Sequence, residues 1–203
     1  DRERGTPEPD PFSEDELQAA LKVAQRDLAL YVRFNIWSGL RPEEMLELHW
    51  QDVDRVNNRV WVHRARVGSI VKGTKTRSSD RHVTLLPEAL QALKDAKALS
   101  YVQGAHIWLC ERTGRPWSGD AVRLAWERTC RRAGVRYRPP SQLRHTYASR
   151  MLTAGEDLTA ISEQMGHKDV TVTARTYARL LKDMGRREFG GKATKAYGKL
   201  AGI

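Results

Sequence analysis

Four positions in this 203-residue sequence set a polar or charged side chain beside an apolar helical stripe, at a helix end or a turn: Arg41, Arg144, His167 and Tyr177. Together such groups have a definite chemistry. A guanidinium keeps its charge at any working pH and holds two phosphate oxygens with a planar fork, which lysine cannot imitate. An imidazole adds a further donor, and a phenol, which titrates near pH ~10 when unperturbed, becomes a nucleophile once cationic neighbours favour its phenolate. Singly, each residue has a plainer reading. An arginine near a helix start is commonly a surface or ion-pair residue, a tyrosine on an apolar helix face is commonly core, and a histidine following Gly166 serves equally to cap the helix before it.

The elements that must position these groups are mostly helical. Ser13 with Glu16 forms a capping box, and Leu17, Leu21, Ala24, Leu28 and Tyr31 or Val32 follow at helical spacing, which predicts a helix opening the domain. Ser38 and Gly39 break that pattern, and Pro42 starts a short helix with Met45, Leu46 and Leu48, leaving Arg41 at the break. Three runs rich in β-branched residues follow, Val60 with Val62, Ile70 with Val71, and His82 to Leu85. They predict a small antiparallel sheet of about three strands. Further helices are expected from Pro87 to about Leu99 and from about Ser118 to Ala133. Leu143, Tyr147, Ala148, Met151 and Leu152 mark another, Leu158, Ile161 and Met165 one closed by Gly166, and a last one begins near Thr171 and contains Tyr177. The fold class is therefore α+β, mainly helical with one small antiparallel sheet. That architecture alone names no function.

Composition narrows the partners. The formal charge is +10, from 35 Lys plus Arg against 25 Asp plus Glu, and the basic surplus is clustered in two stretches. Arg64, Arg66, Lys72, Lys75, Arg77 and Arg81 form one, and Arg123, Arg128, Arg131, Arg132, Arg136 and Arg138 the other. Either could track a phosphate backbone or form a solvated face. Cys110 and Cys130 lack the spacing of a metal knuckle or a disulfide framework, which fits a reducing compartment. No apolar run approaches the roughly 18 residues of a membrane span, and no signal-peptide pattern opens the chain. The first eleven residues hold three prolines among charges, so residues 1–11 read as a linker, with the domain over 12–183 and a separable tail over 184–203.

Four segments, in order, resemble the tyrosine recombinase or phage integrase family, over nearly the whole chain from about Pro11 to Lys182. SGLRPEEMLELHWQDVD is similar to the family's first arginine box, with Arg41 on the scissile phosphate and Glu44 supporting the site. KGTKTRSSDRHVTL is similar to the β-hairpin that carries the catalytic lysine, placing it at Lys75 with Lys72 as the alternative. SQLRHTYASRML resembles the second arginine box, with Arg144 in the site and His145 adjoining it. Ser141 stands three residues earlier, where the family usually has histidine, and its hydroxyl can donate a hydrogen bond but cannot carry a proton as imidazole does. MGHKDVTVTARTYARLL resembles the box that ends in the nucleophile, with His167 ten residues before Tyr177.

The resemblance implies a site-specific recombinase that cleaves and rejoins DNA through a 3′-phosphotyrosyl bond, serving integration and excision of a phage or mobile element. Attack on a phosphodiester builds negative charge on the non-bridging oxygens, and fixed donors such as Arg41, Arg144 and His167 meet it. The ester conserves the bond energy, so no nucleotide is required, and neither metal nor other cofactor is implied. Lys75 would protonate the leaving 5′ oxygen. Lys72, Arg77, Arg131 and Arg132 are the expected DNA contacts. The expected setting is double-stranded DNA, a homotetramer on two sites, a core-binding domain preceding residue 1, a C-terminal tail linking protomers, accessory DNA-bending proteins, and a bacterial cytoplasm close to the nucleoid. Three rivals share parts of the pattern: a type IB topoisomerase-like enzyme, a catalytically impaired DNA-binding regulator supported by Ser141, and an RNA-binding structural protein that leaves the four segments unexplained.

Overall fold

A computed structural model of the chain describes residues 8–73 and 80–182. Ser13 opens α1 (Glu14–Val23) with both halves of the expected capping box, the Glu16 amide donating to its hydroxyl and its own amide to the Glu16 carboxylate. The helical spacing that runs on past Leu21 is not one helix. Ala24 and Gln25 are extended, and α2 (Arg26–Ser38) starts afresh, with buried Asp27 accepting from the amides of Leu28 and Glu111. Helix periodicity survives such a break because both helices bury their apolar side in one core.

Helix α2 is the spine. It packs against α4 (Pro87–Ser100), α5 (Gly119–Arg132) and α6 (Ser141–Thr153), and it supplies Leu28, Tyr31, Val32 and Phe34 to the main core. Trp108 meets both Tyr31 and Phe34, and Trp126 stacks edge-on with Phe12. The chain before α1 is tied to this core: the Phe12 amide donates to Thr146, the Asp10 amide to Gln142, and Arg136 and Arg138 both donate to the Asp10 carboxylate.

The three-stranded antiparallel sheet joins β1 (Val53–Asp54), β2 (Arg59–Val62) and β5 (Arg81–Thr84) in that order. The run at Ile70 and Val71 is a strand, but it lies outside this sheet. It forms β4 (Ile70–Gly73), which among the described residues pairs only with β3 (Arg64–Val67) in a separate hairpin turned at Gly68, with Val67, Ile70 and Val71 exposed. Residues 53–54, too short and polar to stand out, take the third place. A small hairpin of β6 (Leu109–Cys110) and β7 (Arg115–Pro116) precedes α5.

After α6 come two short helices, α7 (Leu158–Met165) and α8 (Val170–Thr176). With α6 they enclose a second, smaller apolar cluster of Tyr147, Ala148, Leu152, Ile161, Met165 and Tyr177. Gly166 ends α7 in a left-handed conformation (φ 65°), as its type predicts. Tyr177 does not lie inside the last helix. It caps α8 at a break (φ −110°, ψ 18°), and helix resumes over residues 178–182.

Candidate active site

The short helix α3 (Pro42–Leu46) begins with Pro42 at its first turn, which leaves Arg41 extended just ahead of it. The Arg41 amide and guanidinium both donate to the Glu44 carboxylate, at 2.9 and 2.8 Å. Arg81, from β5, grips the same carboxylate with two bonds of 3.0 Å. Burial alone would raise the pKa of Glu44, but the hydrogen bonds and charge of Arg81, with Arg41 and Arg144 beyond, hold it at about 2. Glu44 is thus a fixed anion that orients two guanidinium groups.

All three arginines then converge on the C-terminus of α7, where the last carbonyls have no intrahelical partner. Arg81 donates to Gln164 O (2.8 Å), Arg144 to Met165 O (2.6 Å) and Arg41 to Gly166 O (2.9 Å). The negative end of the helix dipole faces these cations, a favourable arrangement. Arg144 also donates to the carbonyl of Gly39 at 2.6 Å. Gly39 caps α2 with φ 65°, and a Cβ there would lie 2.9 Å from Tyr147 Cγ and nearer still to the ring edge, so this carbonyl is delivered by a position only glycine fits. Burial and the charge of Arg41 push the Arg144 pKa down to about 9, which leaves it charged at neutral pH but short of compensating anion.

Two histidines and the tyrosine complete the group. His167 follows Gly166 directly, and its Nδ1 lies 2.6 Å from the hydroxyl of buried Thr173 in α8. Burial, then Arg144 and Arg41, bring its pKa down to about 4, so the ring is neutral. The Tyr177 hydroxyl is 2.8 Å from His145 Nδ1. Burial raises the pKa of that phenol above its ordinary value while Arg144 works in the opposite direction. Arg41, His145, His167 and Arg175 line one cleft of about 520 Å³ together with Glu8 and Pro9.

Arg41, Glu44, Arg144, His167 and Tyr177, spread over more than a hundred residues of sequence, therefore meet in one place. Lys75 and Arg77 lie outside the described residues. Lys72 is exposed on β4. Ser141 is exposed at the start of α6 and lines a neighbouring cleft of about 420 Å³ with Arg66, Arg123 and Pro140. Arg131 and Arg132 are exposed in the last turn of α5 and do not line either cleft, and Arg131 is 3.4 Å from Glu127. Sequence reading missed Arg81, whose pairing with Glu44 joins a strand to a helix 37 residues away, and gave His145 no role of its own. The only signal for Arg81 was its place in a basic run.

One set of possible metal ligands occurs among the described residues, Glu47, His49 and His106, with donor atoms within 4.8 Å of one another. Arg66 donates to Glu47 and reaches His106 Nε2 at 3.4 Å, so a guanidinium already supplies the positive charge there.

The arrangement has a family. The model of the phage integrase family matches residues 11–184, and the chain belongs to that family. Among curated proteins it is similar to the prophage integrase IntR of Escherichia coli (strain K12), 30% identical over 206 residues, covering 90% of this chain and 50% of that protein. It is also similar to the tyrosine recombinase XerC of Xylella fastidiosa (strain 9a5c), 32% identical over 149 residues, covering 73% of this chain and 47% of that one. The chain thus spans about half the length of the curated relatives it matches. Among solved structures, the Tn1549 transposon integrase in complex with a circular intermediate DNA superposes with a TM-score of 0.73 at 18% identity, covering 85% of this chain and 62% of that one. The XerA recombinase gives 0.71 at 22% identity, covering 93% and 66%. These structural likenesses establish a shared fold. Among the described residues no helix is long and apolar enough to cross a membrane.

Proposed function

We propose that the protein is a site-specific DNA recombinase whose Tyr177 attacks a scissile phosphodiester, forms a 3′-phosphotyrosyl bond and releases a 5′ hydroxyl, which a second strand later replaces. The observation that carries this reading is the convergence of Arg41, Arg144 and His167 around the end of α7, within one site with Tyr177. Each guanidinium has more N–H groups than its bonds to the α7 carbonyls use, so each retains donors for phosphate oxygens. Arg144, stripped of water and pressed by Arg41, is stabilised by any anion that arrives. As negative charge builds on the phosphorus oxygens, these donors are already oriented and need no reorganisation. If Thr173 donates its hydroxyl hydrogen to His167 Nδ1, the neutral ring keeps its Nε2–H for the phosphate.

In the attack the Oη–P bond forms as P–O5′ breaks, the phenolic proton leaves, and the 5′ oxygen takes up a proton. Lys75 is the proposed donor for that oxygen, and the Ser141 hydroxyl a further hydrogen-bond donor to the phosphate. Double-stranded DNA is the partner. Lys72, Arg77, Arg131 and Arg132 are proposed backbone contacts, the working assembly is a homotetramer on two sites aided by DNA-bending proteins, and the setting is the bacterial cytoplasm near the nucleoid. A core-binding domain ahead of residue 1 is proposed as well, supported by the half-length match to the relatives, and residues 184–203, which lie outside the described residues, are proposed as a tail exchanged between protomers. The second reading, a DNA-binding regulator without activity, is favoured by Ser141 and by the burial of Tyr177, which is only 2% exposed.

The test is a nicked suicide duplex incubated with the chain at low salt and examined on a denaturing gel. A covalent protein–DNA adduct is expected with the wild type and none with Tyr177→Phe. DNA mobility shifts without any adduct establish the regulator instead.

A further inference from the structure

We infer that His145 is the catalytic base that takes the proton from Tyr177. This deepens the strand-transfer reading and rests on it. The Tyr177 hydroxyl lies 2.8 Å from His145 Nδ1. In the tautomer that makes His145 the base, Nδ1 is the acceptor, the phenol donates to it, and the ring carries its own hydrogen on Nε2. Burial and the charge of Arg144 both disfavour the imidazolium, so the ring stands in its base form at neutral pH.

The other candidates are excluded by their surroundings. The Glu44 carboxylate is buried and takes up four hydrogen bonds from Arg41 and Arg81. His167 Nδ1 is engaged by the Thr173 hydroxyl at 2.6 Å, and no contact joins its ring to the Tyr177 hydroxyl among the described residues. Ser141 has no group that holds a proton at neutral pH, and it lines the adjacent cleft. His145 lies four residues beyond Ser141, one turn further along the same face of α6, so this helix presents an imidazole to the reacting atoms even with serine at 141.

The step balances as follows. The Tyr177 O–H bond breaks, its electron pair stays on Oη, and the proton passes to His145 Nδ1 while Oη–P forms and P–O5′ breaks. On religation Oη leaves phosphorus and recovers that proton. Substrate sharpens the base: a phosphodiester brought to Arg41 and Arg144 cancels the positive field that held the imidazolium off. The charged and titratable groups about the ring are Arg144 on its own helix, Tyr177, and Glu8, Arg41, His167 and Arg175, which line the same cleft.

Two measurements on the full chain test this. The first uses ¹⁵N-labelled histidine without DNA. Tyr177→Phe is expected to move the His145 Nδ1 resonance, and an unmoved resonance overturns the inference. The second follows adduct formation on a pool of nicked suicide duplexes with randomised sequence around the nick. His145→Ala is expected to slow the adduct about 10²–10³-fold, to abolish the fall in rate that the wild type shows as pH drops through the His145 pKa below 6.5, and to recover in part with added imidazole. His145→Asn, which keeps a ring-sized acceptor without a basic nitrogen, should be equally slow while melting like the wild type. Wild-type rates in His145→Asn, or an intact acid limb in His145→Ala, overturn the assignment. Absence of adduct from the wild type itself rejects the strand-transfer reading instead, and the two failures are thereby distinguished.

Discussion

The two apolar clusters of this domain are held together on different terms. The larger is closed by α2, α4 and α5, helices of 13 and 14 residues, around aromatic side chains such as Phe34 and Trp126 that are fully buried. The smaller carries Tyr177 and is closed by helices of 8 and 7 residues, with Leu180 and Leu181 only partly covered. Much of what ties the smaller cluster to the rest is polar: three guanidinium groups, two rooted beside the main core and one on α6, donating to the successive carbonyls of Gln164, Met165 and the capping Gly166 at the end of α7. Hydrogen bonds to charged groups contribute roughly 1.5–3 kcal/mol each, so three of them can hold what a small apolar area cannot. The same bonds aim the arginines. Attachment of the cluster that holds Tyr177 and alignment of Arg41, Arg81 and Arg144 are one set of interactions.

The largest effect should fall in the main core. Phe34→Ala removes a fully buried ring and is expected to lower global stability by about 3–5 kcal/mol, read from the denaturant midpoint, with both clusters unfolding together. Separate transitions for the two clusters in that variant would break the view that they form one cooperative unit.

Next comes the polar hinge between them. Glu44 titrates at about 2 in the folded chain against an ordinary 4.5, a depressed value, so its contribution is full above pH ~4.5 and is lost as pH falls toward 2. Glu44→Gln cannot titrate. It should be less stable than the wild type at neutral pH by on the order of 3 kcal/mol, and the two curves should converge near pH ~2 in acid-dependent chemical denaturation. Parallel curves would show that Glu44 is not the anion that organises Arg41 and Arg81.

The smallest effect belongs to the minor cluster. Leu180→Ala, at a partly buried position, is expected to cost about 1 kcal/mol, with faster amide exchange confined to α7 and α8 and no change in α2. Exchange that rises equally in α2 would erase the difference between the regions.

Much of the site was legible because it depends on residue type and order. Arg41 before Pro42, Arg144 on an apolar helix stripe, and His167 after a helix-ending Gly166 each sit where local rules put them, and the four segments come in family order. Local rules fail where pairing is remote. β-branched content marks Ile70 and Val71 as a strand, yet it says nothing of which neighbour they take, and they pair with β3 rather than with the three-stranded sheet. The break at Ala24 and Gln25 keeps helical phase and so leaves no trace in periodicity. Arg81 looked like one basic residue among many because its partner Glu44 is on another element. The bond from Tyr177 to His145 spans 32 residues and depends on how α8 ends.

The end of α7 has a mechanical meaning as well. Gln164, Met165 and Gly166 each hold one arginine, and His167 is the next residue along the chain. A small translation of this eight-residue helix along its axis moves all three anchor points and the imidazole by the same amount. Three anchor carbonyls and the imidazole are thereby coupled in position through the end of one short helix.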